Sequence, residues 1–487
     1  MTTGAESYSA AVAADPNTPL DVLADIARTC PDLRAHVASN PSTYPALRDW
    51  IAQQAPTPAL SPVAVAQRRK RSLGLVVAIV AVAGIVLGGG GAFAAIQLLA
   101  APSEIAGGSG ESQPVEPEKD EEQAAVEGAL SGSILAWGRS QDGELGNGSI
   151  GDDIFEKVAV PVTGIDNAVQ IVSGFGTAYA LLDDGTVWGW GDGARGQLGS
   201  TEGSPVPVRI PGLDGVTALA ASGWGGYALA EDGQVLAWGW GQWGLLGDGQ
   251  SGEDHQSSVP TAVTGIDDAV AIGADSRTAF AVRADGTLLS WGMGDGGALG
   301  NGTFVEEATE PVEVEGLENI VSVVGGDDCA YALDADGDVW AWGRADNARL
   351  GTDLETWSAV PSRISGLENI VAVARGGPTG FALDEDGRVW SWGFFAALGT
   401  GSTETVDSST PVLVDIPAEV TSIAGGAGTG YALDVDGVVW MWGDDSYSGI
   451  TPSNRAEPDP SVPTEVPGIN RAIAVFGGYL AAYVTVR

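Results

Sequence analysis

The stretch "YALDADGDVWAWG" (331–343) decides the fold. An apolar run, an Asp-Gly pair and a second apolar run follow one another within thirteen residues. Asp-Gly between apolar runs is a hairpin signal, and it predicts a type I′ turn, whose central residues need positive φ. A near copy, "YALDVDGVVWMWG", stands at 431–443. Upstream of the first lies the small-residue strand "IVSVVGG" (320–326), and Gly-rich stretches such as "GARGQLG" (193–199) follow the Trp-Gly steps. The unit is therefore about four short strands.

The Trp-Gly step recurs at Trp137, Trp190, Trp238, Trp291, Trp342, Trp392 and Trp442, with spacings of 53, 48, 53, 51, 50 and 50. Seven four-stranded units repeated radially make a β-propeller. The chain ends support closure. The first copy, "GSILAWG" (132–138), begins midway through the repeat, and "AIAVFGGYLAAYVTV" (472–486) is the missing first half. Residues 133–487 are thus expected to form a ring closed by pairing the last strands with residues 134–138. The 72 glycines fit many tight turns between short strands.

The pattern "YALDxDGxVWxWG" followed by "GQLG" resembles the regulator of chromosome condensation repeat. The resemblance implies the propeller fold and, in the eukaryotic founder, nucleotide exchange and chromatin binding. A bacterial propeller that inhibits β-lactamases is similar in architecture and binds through one loop-rich face. At the other end, "DPNTPLDVLADIART" (15–29) and "SNPSTYPALRDWIAQ" (39–53) each place helix-start residues before an amphipathic run. They resemble the bacterial variant leucine-rich repeat, which implies a small helical domain over 1–60 that contacts a protein in the cytoplasm.

Between these parts, residues 73–101, "LGLVVAIVAVAGIVLGGGGAFAAIQLLAA", carry no charge. That length exceeds the ~20 residues a spanning helix needs, so a transmembrane helix is expected there. "RRKR" (68–71) precedes it, and the Pro/Gly/Ser/Glu-rich stretch 102–132, with eight acidic residues, follows. Basic residues stay on the cytoplasmic side. The expectation is a single-pass plasma-membrane protein, N-terminus inside, with a disordered acidic stalk and an extracellular propeller. Three lysines against 19 arginines, in a chain rich in Ala and Gly, suggest a GC-rich bacterial genome.

Charge narrows the partners. Residues 1–72 carry a net +1, whereas the whole chain carries −42. Such a body repels phosphate backbones, which excludes nucleic acid as a favoured partner. Cys30 and Cys329, the two cysteines, would lie on opposite sides of the membrane and could not pair.

Catalysis finds little support. The two histidines are His36 and the loop residue His255, and no GxSxG, HExxH or CxxC pattern occurs. "DADGD" (334–338) opens like a calcium loop, but Ala345 stands where the bidentate glutamate belongs. No catalytic residue, metal or cofactor is expected. The rivals to a binding role are an envelope hydrolase or lyase, using paired carboxylates on the propeller face, and an exchange-factor-like regulator.

In a four-stranded meander, connections A–B and C–D emerge on one face and B–C and D–A on the other. The Asp-Gly turns are B–C. The A–B positions do not repeat: Phe175, Trp224, Arg277, Asp328, Pro378, Ala427 and Tyr479. The C–D loops add Trp243, Phe394, Phe395 and Tyr447. Residues that do not recur are free of the fold's demands. Phe175, Trp224, Trp243, Arg277, Asp328, Phe394, Phe395, Tyr447 and Tyr479 are therefore the candidate ligand-binding residues, for an extracytoplasmic protein or cell-wall component.

Overall fold

The computed structural model describes residues 39–40, 132–326, 328–354, 356–402, 406–443, 461–469 and 471–487. Among these, 28 strands form seven four-stranded antiparallel sheets. One blade shows why the sequence takes this form. Its strands, from the ring centre outward, are A (Ile320–Gly326), B (Cys329–Asp334), C (Val339–Gly343) and D (Ser358–Arg363). Strand B, CAYALD, is buried on both faces up to its last residue. A blade inside the ring is covered on each side by its neighbours, so B reads as a continuous apolar run rather than an alternating one. Strand D alternates toward solvent and carries proline and arginine, as an edge strand does.

The B–C hairpin differs from the expected type I′ turn. Gly337 N–H donates to the Asp334 carbonyl at 3.1 Å and Asp334 N–H to the Asp338 carbonyl at 3.0 Å. Gly337 has φ +83°, while Asp336 is not among the positive-φ residues. This is a three-residue loop, a type I turn closed by a left-handed glycine. The reason lies one position earlier. The Asp334 carboxylate accepts the Asp336 and Asp338 N–H groups at 3.0 Å each and the Trp340 indole N–H at 2.9 Å. Asp384 and Asp434 repeat the arrangement. The "DADGD" acids thus hold a turn, and no cluster of three or more metal-ligating side chains occurs among the described residues.

Blades are joined by a repeated contact. The indole N–H of Trp190, Trp238, Trp291, Trp342, Trp392 and Trp442 donates to a backbone carbonyl in the C–D loop of the preceding blade: Glu144, Gln197, Leu245, Ala298, Arg349 and Ala397, at 2.6–3.1 Å. Each indole, with Trp137 making seven, also meets a strand-B tyrosine or phenylalanine of that blade edge to face. The centroids are 5.3–6.0 Å apart and the planes 76–85° to one another. The recurring tryptophans are inter-blade core, as expected.

The ring closes as the split repeat predicts. Ser133–Arg139 pairs with Ala481–Val486, from Ile134 opposite Thr485 to Gly138 opposite Ala481. Phe155–Asp166 and Ala472–Gly477 complete that blade on its outer and inner sides.

The expected fold class needs one correction. Among the described residues there is no α-helix, only short 3₁₀ turns, and no helix long and apolar enough to cross a membrane. The described architecture is mainly β, a seven-bladed propeller. The segments assigned to a helical domain (1–60), a spanning helix (73–101) and a stalk (102–132) lie outside the described residues, apart from 39–40.

Trp342→Phe should test the inter-blade contact. It removes the donor, strands the buried Ala298 carbonyl and leaves a small void, for an expected loss of about 2–3 kcal/mol. Trp357→Phe, at a position 49% exposed, should cost less than about 0.5 kcal/mol. Equilibrium denaturation of the full chain measures both. Equal losses would show that the contact contributes nothing special.

Candidate binding face

The meander places A–B turns and C–D loops on one face, around one mouth of the central channel. The A–B turns are hydrogen-bonded blade to blade. Phe175 N–H donates to the Gly223 carbonyl and Gly223 N–H to the Ser276 carbonyl, both at 3.0 Å. Gly223 is required by this approach, since a Cβ there would lie 2.7 Å from the Phe175 ring.

Four of the candidate aromatics come together on this rim. Phe175 meets Trp224 at 4.8 Å and Tyr479 at 4.6 Å between centroids, both edge to face. Trp224 lies 6.2 Å from Trp243. Trp240 bridges them at 5.1 and 5.5 Å. Arg195 stacks on Trp240 at 4.5 Å, and Arg277 lies 6.0 Å from the Trp243 ring while pairing with Asp328. Asp328 also meets Arg344 at 3.7 Å. The cluster is half-buried, with Tyr479 exposed.

Sequence reading missed Trp240, because it directly follows Trp238-Gly239 and was absorbed into the recurring strand. The available signal was that Asp192, Met293, Arg344 and Phe394 hold the equivalent place. Also missed were exposed apolar residues on the C–D connections: Ile150, Phe304, Val305, Trp357 and Val406. Phe394, like Pro378 and Ala427, lines the channel. Tyr447 lies outside the described residues, as does the Phe395 side chain.

Trp243 occupies the left-handed region, at φ +59°. Gly296 (φ +66°) and Asn347 (φ +56°) hold the equivalent position in the next two blades. Glycine and asparagine tolerate this conformation; a tryptophan there costs about 1 kcal/mol. The strain is offset by its neighbours and holds the indole at the rim.

The channel is a cavity of about 520 Å³ lined by the seven innermost strands. Asp275 stands at its mouth, 2% exposed. Its Oδ1 accepts the N–H groups of Arg277 and Thr278, at 2.6 and 2.5 Å. Its Oδ2 has no partner. Burial pushes this carboxyl up to about 6, with Asp328 adding to the rise and Arg375 opposing it. Glu144, 4% exposed in the C–D loop of the closing blade, is pushed up to about 7 by burial, and Asp142 adds to the rise. One of its oxygens accepts Asp142 N–H at 2.8 Å; the other has no partner.

Two other groups are accounted for structurally. His255 Nε2 lies 3.0 Å from the Asp248 carboxylate within its own loop, and its carbonyl accepts Gly241 N–H at 2.7 Å, so it braces that loop. The Cys329 thiol is buried and pushed up to about 12 by that burial, which leaves it inert.

Comparison with known proteins fits this geometry. Models of the regulator of chromosome condensation (RCC1) repeat match residues 168–197, 184–229, 232–281, 285–333, 336–383 and 386–433, together just over half of the chain. The chain belongs to that family. Residues 7–69 match the Leucine Rich Repeat Variant domain, in keeping with the resemblance noted for 1–60. The chain is 31% identical over 237 residues to the E3 ubiquitin-protein ligase HERC2 of Homo sapiens, covering 47% of this chain and 4% of that protein. It is 30% identical over 230 residues to the ultraviolet-B receptor UVR8 of Arabidopsis thaliana, covering 46% and 51%. These alignments span less than two thirds of either relative. Among solved structures, human WBSCR16 aligns with a TM-score of 0.64 at 22% identity, over 73% of this chain and 98% of that one. Prp20p of Saccharomyces cerevisiae aligns at 0.63 and 20%, over 75% and 94%. Both show the shared fold.

Two outcomes test the site. Trp243→Gly should leave stability within about 1 kcal/mol of the parent, since relief of left-handed strain offsets the lost ring contacts. Chemical denaturation measures this, and a loss above about 3 kcal/mol would mean the indole is core. Glu144→Gln should change the pH dependence of melting. The native Glu144 keeps a proton that the unfolded chain, with a carboxyl near 4.5, releases. That group therefore lowers stability as pH rises from about 4.5 to about 7 and is flat above. The variant should melt higher than the parent at pH 8 and match it at pH 4.

Proposed function

We propose that the propeller is a protein-binding module that docks its partner on the face formed by the A–B and C–D connections. The observation that carries this reading is the contiguous cluster Tyr479–Phe175–Trp224–Trp240–Trp243. These side chains are rigid, none recurs at its repeat position, and one is held in a strained conformation. Half-buried aromatics are the anchors around which protein interfaces are built. Binding rather than catalysis is favoured because the recurring acids of the opposite face are engaged in holding their own turns. Among the relatives, the Prp20p structure is described with binding to Gsp1p and histones, and yeast RCC1 with Kap60. Those partners belong to those proteins; what supports carrying protein binding to this chain is the shared repeat. Display of the propeller outside the cytoplasm, toward an envelope component, is part of the proposal, supported by the basic residues 68–71 and the acidic residues of 102–132.

A photo-crosslinking amino acid at Ser200 or Ser251, in exposed C–D loops, should trap one and the same protein from an extract of the source organism. The same probe at Asp184 or Asp285, in turns of the opposite face, should not. Adducts that form only from the opposite face would show that the face is wrongly assigned.

A further inference from the structure

The docking face has a charge character that the aromatic cluster alone does not convey. Its described A–B and C–D connections hold sixteen carboxylate side chains and four arginines. Three of those arginines are already engaged. Arg277 and Arg344 meet Asp328, while Arg344 and Arg349 meet Asp346. Arg195 lies on Trp240. The carboxylate excess is not neutralised by the face itself.

Two of these acids have acceptor capacity to spare. Asp275 Oδ2 and Glu144 Oε1 are buried without partners, which is costly for an ionised oxygen and uncommon in a finished interior. Asp275 is also well placed. It precedes Ser276, whose carbonyl holds Gly223, the residue before Trp224. An unpartnered carboxylate oxygen therefore stands at the channel mouth, one turn from the three-tryptophan cluster. Indole faces and carboxylates attract the same chemical class, an ammonium or guanidinium group.

We propose that the partner of this face is a lysine- or arginine-rich polypeptide segment, with one basic side chain against the Trp224–Trp240–Trp243 cluster and another at the channel mouth beside Asp275. This rests on the docking face proposed above and adds the chemistry of the occupant. An acidic or purely apolar segment would leave the carboxylates unpaired and desolvated, so the face discriminates against it. Two charged side chains act on Asp275, Asp328 of the next turn and Arg375 from Ile370–Gly376, while Arg277 gives it a backbone N–H and turns its guanidinium to Asp328. Arg375 is itself basic, so the arriving cation supplements an arrangement already at work there.

The test is a selection from random dodecapeptides on the immobilised full chain. The selected peptides should carry Lys and Arg at about three times their input frequency. Their affinity should fall about tenfold or more with Trp224→Ala or Asp275→Asn, and less than about twofold with Asp184→Asn. Asparagine keeps the Oδ1 acceptor for the Arg277 and Thr278 N–H groups and removes a carboxyl that burial disfavours, so Asp275→Asn should fold and melt no lower than the parent at neutral pH. Asp184→Asn removes the same charge from the opposite face and controls for diffuse attraction. Selected peptides that are apolar, without basic enrichment, yet lost with Trp224→Ala would overturn the basic occupant and leave the docking face standing. Basic peptides that depend on Asp275 but not on Trp224 would uphold the cation site and remove the aromatic anchor. Equal losses with Asp275→Asn and Asp184→Asn, or no selected peptide, would overturn the inference.

Discussion

Every blade leans on the one before it through an indole. The Trp-Gly tryptophan meets a strand-B ring edge to face in all seven blades, and in the six other than that of Trp137 it donates its N–H to a carbonyl at the base of the preceding C–D loop. Edge-to-face contact contributes about 0.5–1.5 kcal/mol beyond burial, and a buried hydrogen bond about 1 kcal/mol net. Repeated around the ring, these terms fix the angle between blades. They also do something local. The accepting carbonyls at Gln197 and Leu245 lie two residues after Arg195 and Trp243. The contact that packs the core therefore anchors the root of six C–D loops, and the residues just upstream can vary without loosening it.

This explains how one repeat can carry different chemistry in each blade. The position two before the accepting carbonyl is Arg195, Trp243, Gly296 or Asn347 in successive blades. Where its backbone is left-handed, glycine and asparagine satisfy it at no strain, and they are what a loop selected only for folding would carry. Tryptophan at φ +59° departs from that rule. The departure sits beside Trp240, Trp224 and Phe175, three further positions that do not recur. Local departure from the repeat thus concentrates in one sector of the ring, where the blades carrying Tyr479, Phe175 and Trp224 meet.

Much of this was legible in the sequence, for definable reasons. The Trp-Gly period and the split repeat specify the ring because no other arrangement buries seven indoles and pairs both chain ends. The face carrying Phe175, Trp224, Trp243 and Tyr479 follows from strand alternation alone. Trp240 was missed because a residue adjoining a recurring motif is read as part of it. The hairpins were read as type I′ from the Asp-Gly pair, yet the controlling residue is Asp334, whose carboxylate organises the turn from before it. Trp357 and Phe304 carry no periodic signal; their C–D loops differ in length from blade to blade. The segments expected to be helical fall outside the described residues, and the described fold contains no α-helix.

The two faces also show that composition does not settle what an acid does. Asp184 and Asp285, exposed in B–C turns, each accept both the N–H and the hydroxyl of a following threonine. Those bonds favour the ionised form and hold both carboxyls below the usual aspartate range. Asp275, in an A–B turn, also accepts two backbone N–H groups, but burial outweighs them and pushes it the other way. The difference lies in what surrounds each carboxylate. In the exposed B–C turns a threonine hydroxyl adds to the backbone N–H on each carboxylate; Asp275 is buried at the channel mouth with no hydroxyl on it, and one oxygen is left over. A ring that spends its acids on its own turns on one face and leaves acceptors unpaired on the other is asymmetric in the property that matters for recognition. That asymmetry arises from which connections the meander sends to which side.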